Sequence, residues 1–148
     1  MNIIEVKIKK LHENAIIPSY ANFGDAGVDL MAIEDTIIRA GETKIIKTGL
    51  AMDIPVGYEL QIRPKSGNSA KSKLRIANAP GTIDCQYRGE IGIIVDNIGS
   101  EDIEIKKGKG VAQGVFNEIP VAHFVEVEEL SETDRGSGGY GSSNRGIV

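Results

Sequence analysis

Residues 58–63 read YELQIR, a stretch in which Tyr58, Leu60 and Ile62 alternate with polar side chains. Successive side chains of a β-strand point to opposite faces of the sheet, so this alternation predicts a strand with one buried face. The same period of two recurs in Ile4–Lys9, Asp102–Lys106 and Val121–Val127. Short strands separated by glycine and proline turns favour an all-β fold, either a sandwich or a barrel.

Three other stretches depart from this alternation. Residues 91–95, IGIIV, are almost continuously apolar, which is typical of a strand covered on both faces. Ser66–Lys73 favours a short helical turn. The eighteen residues 131–148 contain five glycines and four serines, with Tyr140 as their one aromatic side chain. We therefore expect a β-domain over residues 1–130 that carries the functional site, followed by a flexible Gly/Ser-rich segment over 131–148.

Composition limits the class of protein. The 148 residues are 41% hydrophobic, enough for one domain with its own core, and no apolar run reaches the ~18–20 residues of a membrane helix. The start of the chain lacks the features of a secretory signal, and the single cysteine, Cys85, suits a reducing compartment. A net charge of −4 argues against a general nucleic-acid binder. We expect an intracellular protein with no membrane or nucleic-acid partner, to which small polyanions remain open as ligands.

Five short segments hold side chains that could carry chemistry: Ala26–Ala32, Arg63–Lys71, Asn78–Glu90, Gly110–Phe116 and Arg135–Ser143. In the first, an aspartate is either a turn residue entering a strand or a carboxylate that helps to hold a hydrated Mg²⁺. In the second, cations, a hydroxyl and a glycine form either a solvated basic turn or a phosphate cradle.

The third segment offers the most varied chemistry. Asn78 has both a donor and an acceptor, Asp84 is a candidate general base, and Tyr87 presents a rigid ring. Pro-Gly and Arg-Gly bracket the stretch and predict a hairpin whose backbone could face a flat ring; the alternative is an ordinary hairpin with an exposed aspartate. Gln113 in the fourth segment is an amide within a strand, which by itself is more often a surface residue. The closely spaced glycines of the fifth could admit an anion beside Arg135, but the lysine of a P-loop is absent.

In this order the five segments resemble the motifs of the trimeric dUTP pyrophosphatase (dUTPase) family. The matching stretches are Ala26–Leu30, Pro64–Gly67, Gly81–Glu90, Gly110–Gln113 and Arg135–Ser143. The resemblance implies an all-β, distorted jelly-roll or β-barrel-like fold with a short helical turn and a flexible C-terminal arm. It also implies a homotrimer with sites between subunits, in which the arm closes over a neighbour's site as a lid.

The resemblance further implies hydrolysis of dUTP to dUMP and pyrophosphate with Mg²⁺ as cofactor. Asp84 would deprotonate the water that attacks the α-phosphorus, and Asp29 would hold water around the metal. Tyr87 would lie beneath the deoxyribose and exclude a 2′-hydroxyl. The remaining residues expected to bind substrate are Lys65, Ser66, Gly67, Asn78, Thr82, Ile83, Gly92, Gln113, Arg135 and Tyr140. Such an enzyme would clear dUTP and supply the thymidylate precursor in the cytoplasm, or inside a host cell if the protein is viral.

Four positions depart from the family's usual residues, and two of them, Asn68 and Val111, have no chemistry assigned to them. Lys65 stands where the family generally has arginine, so the charge is kept and the planar bidentate fork is lost. Tyr140 stands where phenylalanine is more frequent, and its ring can still stack. The alternatives to a dUTPase are a nucleotide-controlled binding protein on the same scaffold, a dCTP deaminase of the related branch, and a structural β-domain. The last leaves the ordered set of five segments unexplained.

Overall fold

Eleven short strands and one helix make up the regular structure of residues 1–147, the part of the chain that the computed structural model describes. The strands are β1 (Lys7–Lys10), β2 (Val28–Met31), β3 (Thr36–Ile38), β4 (Thr43–Lys47), β5 (Leu50–Asp53), β6 (Tyr58–Arg63), β7 (Leu74–Ile76), β8 (Gly81–Ile83), β9 (Gly92–Asn97), β10 (Ile103–Ile105) and β11 (Gly110–Glu118). The helix α1 (Ser66–Lys71) follows β6. The predicted strand at 58–63 and the helical turn after it are therefore confirmed.

The strands form four small antiparallel sheets around a common core. Their orders are β1-β5, β3-β10, β2-β11-β6-β8 and β4-β9-β7. Each sheet contributes to one cluster of buried aliphatic side chains, for example Met52 of β5, Ile38 of β3, Leu60 of β6 and Val95 of β9. Burying one such side chain contributes about 1.5–3 kcal/mol. The apolar half of each alternating strand thus pulls the sheets together, and the predicted all-β class is confirmed.

The continuously apolar stretch at 91–95 is covered on one face. Ile93 and Val95 of β9 are fully buried, whereas Ile94 is half-buried and its neighbour on β4, Ile45, is 63% exposed. The expectation that both faces are covered is wrong for the single chain, because only the inner face of this sheet meets the core.

The predicted hairpin at 78–90 is also wrong. β8 pairs with β6 at the edge of the four-stranded sheet, whereas β9 lies between β4 and β7 in another sheet. The turn after β8 therefore passes the chain from one sheet to the next. Local turn residues mark where a strand ends but not with which strand the next one pairs. The sheet that β9 joins is determined by burial of its apolar face.

The alternating stretch Val121–Val127 is not a strand. Residues 119–147 have no strand or helix, and Val121, Phe124 and Leu130 are 97%, 91% and 87% exposed. A strand needs a neighbour for its backbone hydrogen bonds, and within residues 1–147 nothing pairs with this segment. Val148, the last residue of the expected 131–148 segment, lies outside the described residues. In residues 1–147 we find no helix with the length and apolar character needed to cross a bilayer.

Candidate active site

The central strand β11 brings two of the five segments beside the end of β6. In the antiparallel register, Gln113 of β11 lies opposite Asp29 of β2 on one side and opposite Arg63 of β6 on the other. Residues directly opposite one another in neighbouring strands share a face of the sheet. The first, second and fourth segments, far apart in sequence, therefore meet on one face at one end of this sheet.

An ion pair joins the first segment to the second. The Lys65 ammonium contacts the Asp29 carboxylate, and the two side chains are 29% and 43% exposed. Gly110 makes room for this pair, because a Cβ there would lie 3.3 Å from Lys65 Cε and 3.5 Å from Asp29 Oδ2. The cation that sequence reasoning assigned to a phosphate is thus held by the carboxylate assigned to the metal.

Gln113 connects the strand to the start of the helix. Its Nε2 donates a hydrogen bond of 3.0 Å to the carbonyl of Pro64, directly before Lys65. Its Oε1 lies against Gly27, where a Cβ would come within 2.5 Å of that oxygen. One end of the amide is therefore held by a hydrogen bond. A side chain at position 27 would displace the other end.

A second amide, which sequence reasoning left without a role, fixes the helix itself. Asn68 Nδ2 donates hydrogen bonds to the carbonyls of Gly110 (3.0 Å) and Val111 (3.3 Å), where the register of β11 shifts. Ser66 and Gly67 lie exposed in the first turn of α1, which carries no acidic side chain. That turn is therefore open to an anion. The one sequence signal for this role was an amide, Asn68, within the predicted helical turn.

Two cavities meet at Gln113. One, of about 450 Å³, is lined by Asp29, Lys65 and Gln113 together with the loop that precedes β2. The other, of about 480 Å³, runs from Gln113 and Arg63 to Pro80. The charged groups in the lining of the first are the carboxylates of Asp25 and Asp29 and the ammonium of Lys65. The second leads towards the third segment.

Asn78 and β8 lie at the edge of the same sheet. A Cβ on Gly81 would come within 3.2 Å of Asn78 Nδ2, so the amide packs over this glycine. Thr82 is exposed opposite Gln61, and Ile83 packs against the core opposite Leu60. The structure thus places Asn78 and β8 next to β6, beside the second cavity.

The turn that follows β8 carries Asp84, the candidate general base, and the aromatic ring of Tyr87. The N–H of Tyr87 donates a 3.1 Å hydrogen bond to the carbonyl of Asp84, and both side chains are exposed in the single chain. Tyr87 Oη donates a 2.8 Å hydrogen bond to the carbonyl of Glu90, and Gly89 has no room for a Cβ beside the ring. The ring orientation is therefore fixed by its own loop.

Two contacts that sequence reasoning missed anchor this loop. Arg88 Nη2 pairs with Asp53 at the end of β5 at 2.8 Å. At the other end, Glu90 Oε2 accepts a 3.1 Å hydrogen bond from the N–H of Gly49. Each joins residues 35 or more positions apart, so no local pattern announces it.

The structure does not bring every expected residue to this end of the sheet. Gly92 begins β9 in the three-stranded sheet, opposite Lys47 and against Ile45. Arg135 and Tyr140 lie in a series of exposed turns, and the hydrogen bonds of residues 131–147 all join residues of that same segment. Tyr140 has φ 52°, a left-handed conformation that is uncommon for residues other than glycine.

A protein-family model described as dUTPase matches residues 13–144 and spans all five segments. The chain belongs to the dUTPase family. It is 50% identical over 142 residues to the deoxyuridine 5'-triphosphate nucleotidohydrolase of Nautilia profundicola, with 96% of this chain and 100% of that protein covered. The protein of the same description from a Picosynechococcus species is 49% identical over 142 residues, covering 95% of this chain and 99% of that protein.

Solved dUTPases share the fold. A glycine-to-serine mutant of the Staphylococcus bacteriophage 80alpha dUTPase with dUpNHpp has a TM-score of 0.88 and 29% identity, covering 94% of this chain and 98% of that one. A mutant of the dUTPase from phage phi11 of S. aureus, described with a structural Mg(II) ion, has a TM-score of 0.81 and 27% identity, covering 87% and 100%. The family and the fold expected from the sequence are confirmed.

Proposed function

We propose that this protein hydrolyses dUTP to dUMP and pyrophosphate. The observation that carries the proposal is the meeting of Asp29, Lys65 and Gln113 at one polar cavity, beside a second cavity that Gln113 shares with Pro80. Relatives about 50% identical over nearly the whole chain are named for this activity. The reaction removes dUTP from the nucleotide pool and supplies dUMP for thymidylate synthesis, and we place it in the cytoplasm or, for a viral protein, inside the host cell.

The triphosphate binds at the end where β11 and α1 meet. Ser66 and Gly67 offer a hydroxyl and exposed backbone at the first turn of the helix, and Gln113 lies between the two cavities. Lys65 adds positive charge, although its ammonium is shared with Asp29. An acidic protein binds a polyanion through such local cations, because charge is felt mainly over short distances in salt.

The residues around Asp29 fit a hydrated Mg²⁺. This carboxylate already holds one cation, Lys65, and it lines an open cavity of about 450 Å³. Residues 1–147 contain no group of three or more His, Cys, Asp or Glu placed to hold a metal. Mg²⁺ commonly keeps several waters and uses one or two carboxylates plus substrate phosphates, so Asp29 would hold it through water. When bound, the ion neutralises phosphate charge.

Asp84 acts as the general base. It takes a proton from the water whose oxygen bonds to the α-phosphorus, and the bond from that phosphorus to the β-phosphate oxygen breaks as pyrophosphate leaves. Its exposed carboxylate stands on the turn after β8, and such proton transfer contributes about 10²–10⁴-fold. The rest of catalysis is positioning and charge neutralisation.

Sugar and base are read beside this turn. The Tyr87 ring, held through its hydroxyl to the Glu90 carbonyl, lies beneath the deoxyribose and leaves no space for a 2′-hydroxyl. Asn78, Thr82 and the backbone of Ile83 face the uracil, together with the backbone of Gly92. A pocket that pairs the uracil edge leaves buried groups unpaired with cytosine, which can discriminate by about 10⁴–10⁵.

The working enzyme is a homotrimer with sites between subunits. Its support is the extended segment after β11, where Val121, Phe124 and Leu130 are at least 87% exposed. Apolar side chains left this exposed are available for a contact with another subunit. Residues 1–130 form the domain that carries the nucleotide site, and residues 131–148 form a lid that closes over a neighbouring subunit's site.

Closure of the lid brings Arg135 to the γ-phosphate and Tyr140 over the uracil. Ordering a flexible segment costs conformational entropy, which its contacts with the ligand must offset. The phosphate contact and the base stack are both needed for this. The lid therefore closes only on the complete triphosphate.

Pyrophosphate release from a panel of deoxynucleoside triphosphates with Mg²⁺ tests the function. We expect dUTP alone to be cleaved rapidly, and Asp84→Asn to bind dUpNHpp but to lose about 10²–10⁴-fold in kcat. Asp35→Asn, which removes the same charge from a distant exposed loop, is the matched control. Nucleotide binding without pyrophosphate release would instead support a binding protein, and conversion of dCTP a deaminase.

A further inference from the structure

The turn that carries Asp84 and Tyr87 has few hydrogen bonds of its own. One backbone hydrogen bond of 3.1 Å closes it, the Tyr87 hydroxyl donates one of 2.8 Å to the Glu90 carbonyl, and the side chains of Asp84 and Tyr87 are exposed. A general base must be held close to its productive geometry, because a displacement of about 1 Å can cost ~10²-fold in rate. Something outside the turn must therefore fix it.

Beside the hydrogen bond from the Gly49 N–H to Glu90, Arg88 makes the contacts that do so. Its Nη1 donates hydrogen bonds to the carbonyls of Cys85 (2.7 Å) and Tyr87 (3.2 Å), both within the turn. Its Nη2 donates to Asp53 Oδ1 at 2.8 Å. One planar guanidinium thus connects the backbone of the turn to a carboxylate on another strand.

The far end of this connection is rigid. Asp53 is the last residue of β5, where it lies opposite Lys7 of β1. Its neighbours in the chain, Met52 and Ile54, are 5% and 1% exposed and belong to the main core. The guanidinium therefore ties the turn to a strand that is anchored in the core of the protein.

We propose that Arg88 is a positioning residue that, through Asp53, holds the turn bearing Asp84 in its productive geometry. The proposal rests on the role of Asp84 in the proposed function. Arg88 and Asp53 are 55% and 48% exposed, and an exposed ion pair adds little to global stability. The consequence of losing it is local: the turn moves, while the fold and the remote phosphate site at Asp29 and Lys65 remain.

Steady-state kinetics and equilibrium binding of dUpNHpp separate this role from a structural one and from direct phosphate binding. We expect Arg88→Met to lower kcat about tenfold, with a change of less than about threefold in the Kd of dUpNHpp and a Tm within about 2 °C of the parent. Arg88→Lys keeps the charge but reaches fewer of the three acceptors, so its kcat should lie between those of the parent and of Arg88→Met. Asp35→Asn, the control, should match the parent in kcat and in the Kd of dUpNHpp.

Asp53→Asn gives an independent test, since it alters the connection without touching the loop. Its kcat should fall several-fold, and the double variant with Arg88→Met should be no slower than Arg88→Met alone, because the two residues act as a unit. Parental kcat in Arg88→Met, or additive losses in the double variant, would overturn the proposal. A loss that appears only in the Kd of dUpNHpp would do the same and assign Arg88 to the phosphates.

The two proposals fail differently. If Asp84→Asn turns over like the parent, the role of Asp84 is wrong whatever Arg88 does. If Asp84→Asn is inactive while Arg88→Met and Asp53→Asn are fully active, only the positioning role is wrong. Should Arg88→Met fail to fold, Asp53→Asn and Arg88→Lys still decide the question.

Discussion

Gly27→Ala probes the link between Gly27 and Gln113 at the candidate phosphate site. The new Cβ would lie 2.5 Å from Gln113 Oε1, whereas ordinary contacts begin at 3.4 Å. The amide must therefore retreat by about 1 Å, which pulls Nε2 from the Pro64 carbonyl that it now meets at 3.0 Å. The flexible Gln113 side chain moves at little cost, so the loss is that of one hydrogen bond, about 0.5–1.5 kcal/mol.

Thermal unfolding and kinetics would measure this effect. For a chain of this length 1 kcal/mol corresponds to about 2–4 °C, so we expect Tm to fall by ~1–6 °C at fixed protein concentration. The KM for dUTP should rise, because Gln113 is displaced from between the two cavities.

The control is the same substitution in a Gln113→Ala background. Without the amide the 2.5 Å contact disappears, and Val115 Cγ2 at 3.2 Å becomes the nearest atom to the new methyl. We therefore expect Gly27→Ala to cost a small fraction of its original amount there. An equal loss of Tm in both backgrounds would show that Gly27 acts through something other than Gln113, and the reasoning would be refuted.

Further predictions concern the other contacts of the site and the lid. Lys65→Met should raise the KM for dUTP, whereas Lys65→Arg should restore it, since a guanidinium can hold Asp29 and a phosphate together; equal KM values in steady-state kinetics would contradict this. Asn68→Ala removes hydrogen bonds to Gly110 and Val111 and should lower stability by about 1–2 kcal/mol in thermal unfolding, with Ser69→Ala as control. Trypsin should cleave after Arg135 in free and dUMP-bound protein and be blocked by dUpNHpp; equal cleavage would argue against a lid. The backbone N–H of Lys107, followed by Lys106, lowers the pKa of Asp35 below its usual value. The ionised Asp35 carboxylate therefore stabilises the fold above about pH 4, and this stabilisation is lost as the pH falls through the lowered pKa. The Tm difference between the parent and Asp35→Asn should accordingly vanish in acid.

Local patterns predicted the elements better than their partners. The strand at 58–63 and the helical turn after it lie where the sequence predicted them, because both depend on residues that are close together in the chain. Val121–Val127 has the same alternation and forms no strand, since pairing requires an edge that residues 1–147 do not offer it. The hairpin predicted at 78–90 fails for a related reason: its second strand pairs in another sheet.

The candidate site divides in the same way. The residue types in the five segments made Asp29, Lys65 and Gln113 candidates, and the structure brings them together. The sequence did not reveal that Lys65 would be paired with Asp29, that Asn68 would hold β11, or that Arg88 would reach Asp53. Each of these contacts spans 35 or more positions.

The sequence by itself determined an all-β chain and the chemical groups available to its five segments, because side-chain periodicity and residue type are local properties. Tertiary structure alone decided which strands became neighbours and therefore which side chains met. Burial of one shared core selects among many pairings that are locally equivalent, and a period-two pattern does not distinguish between them.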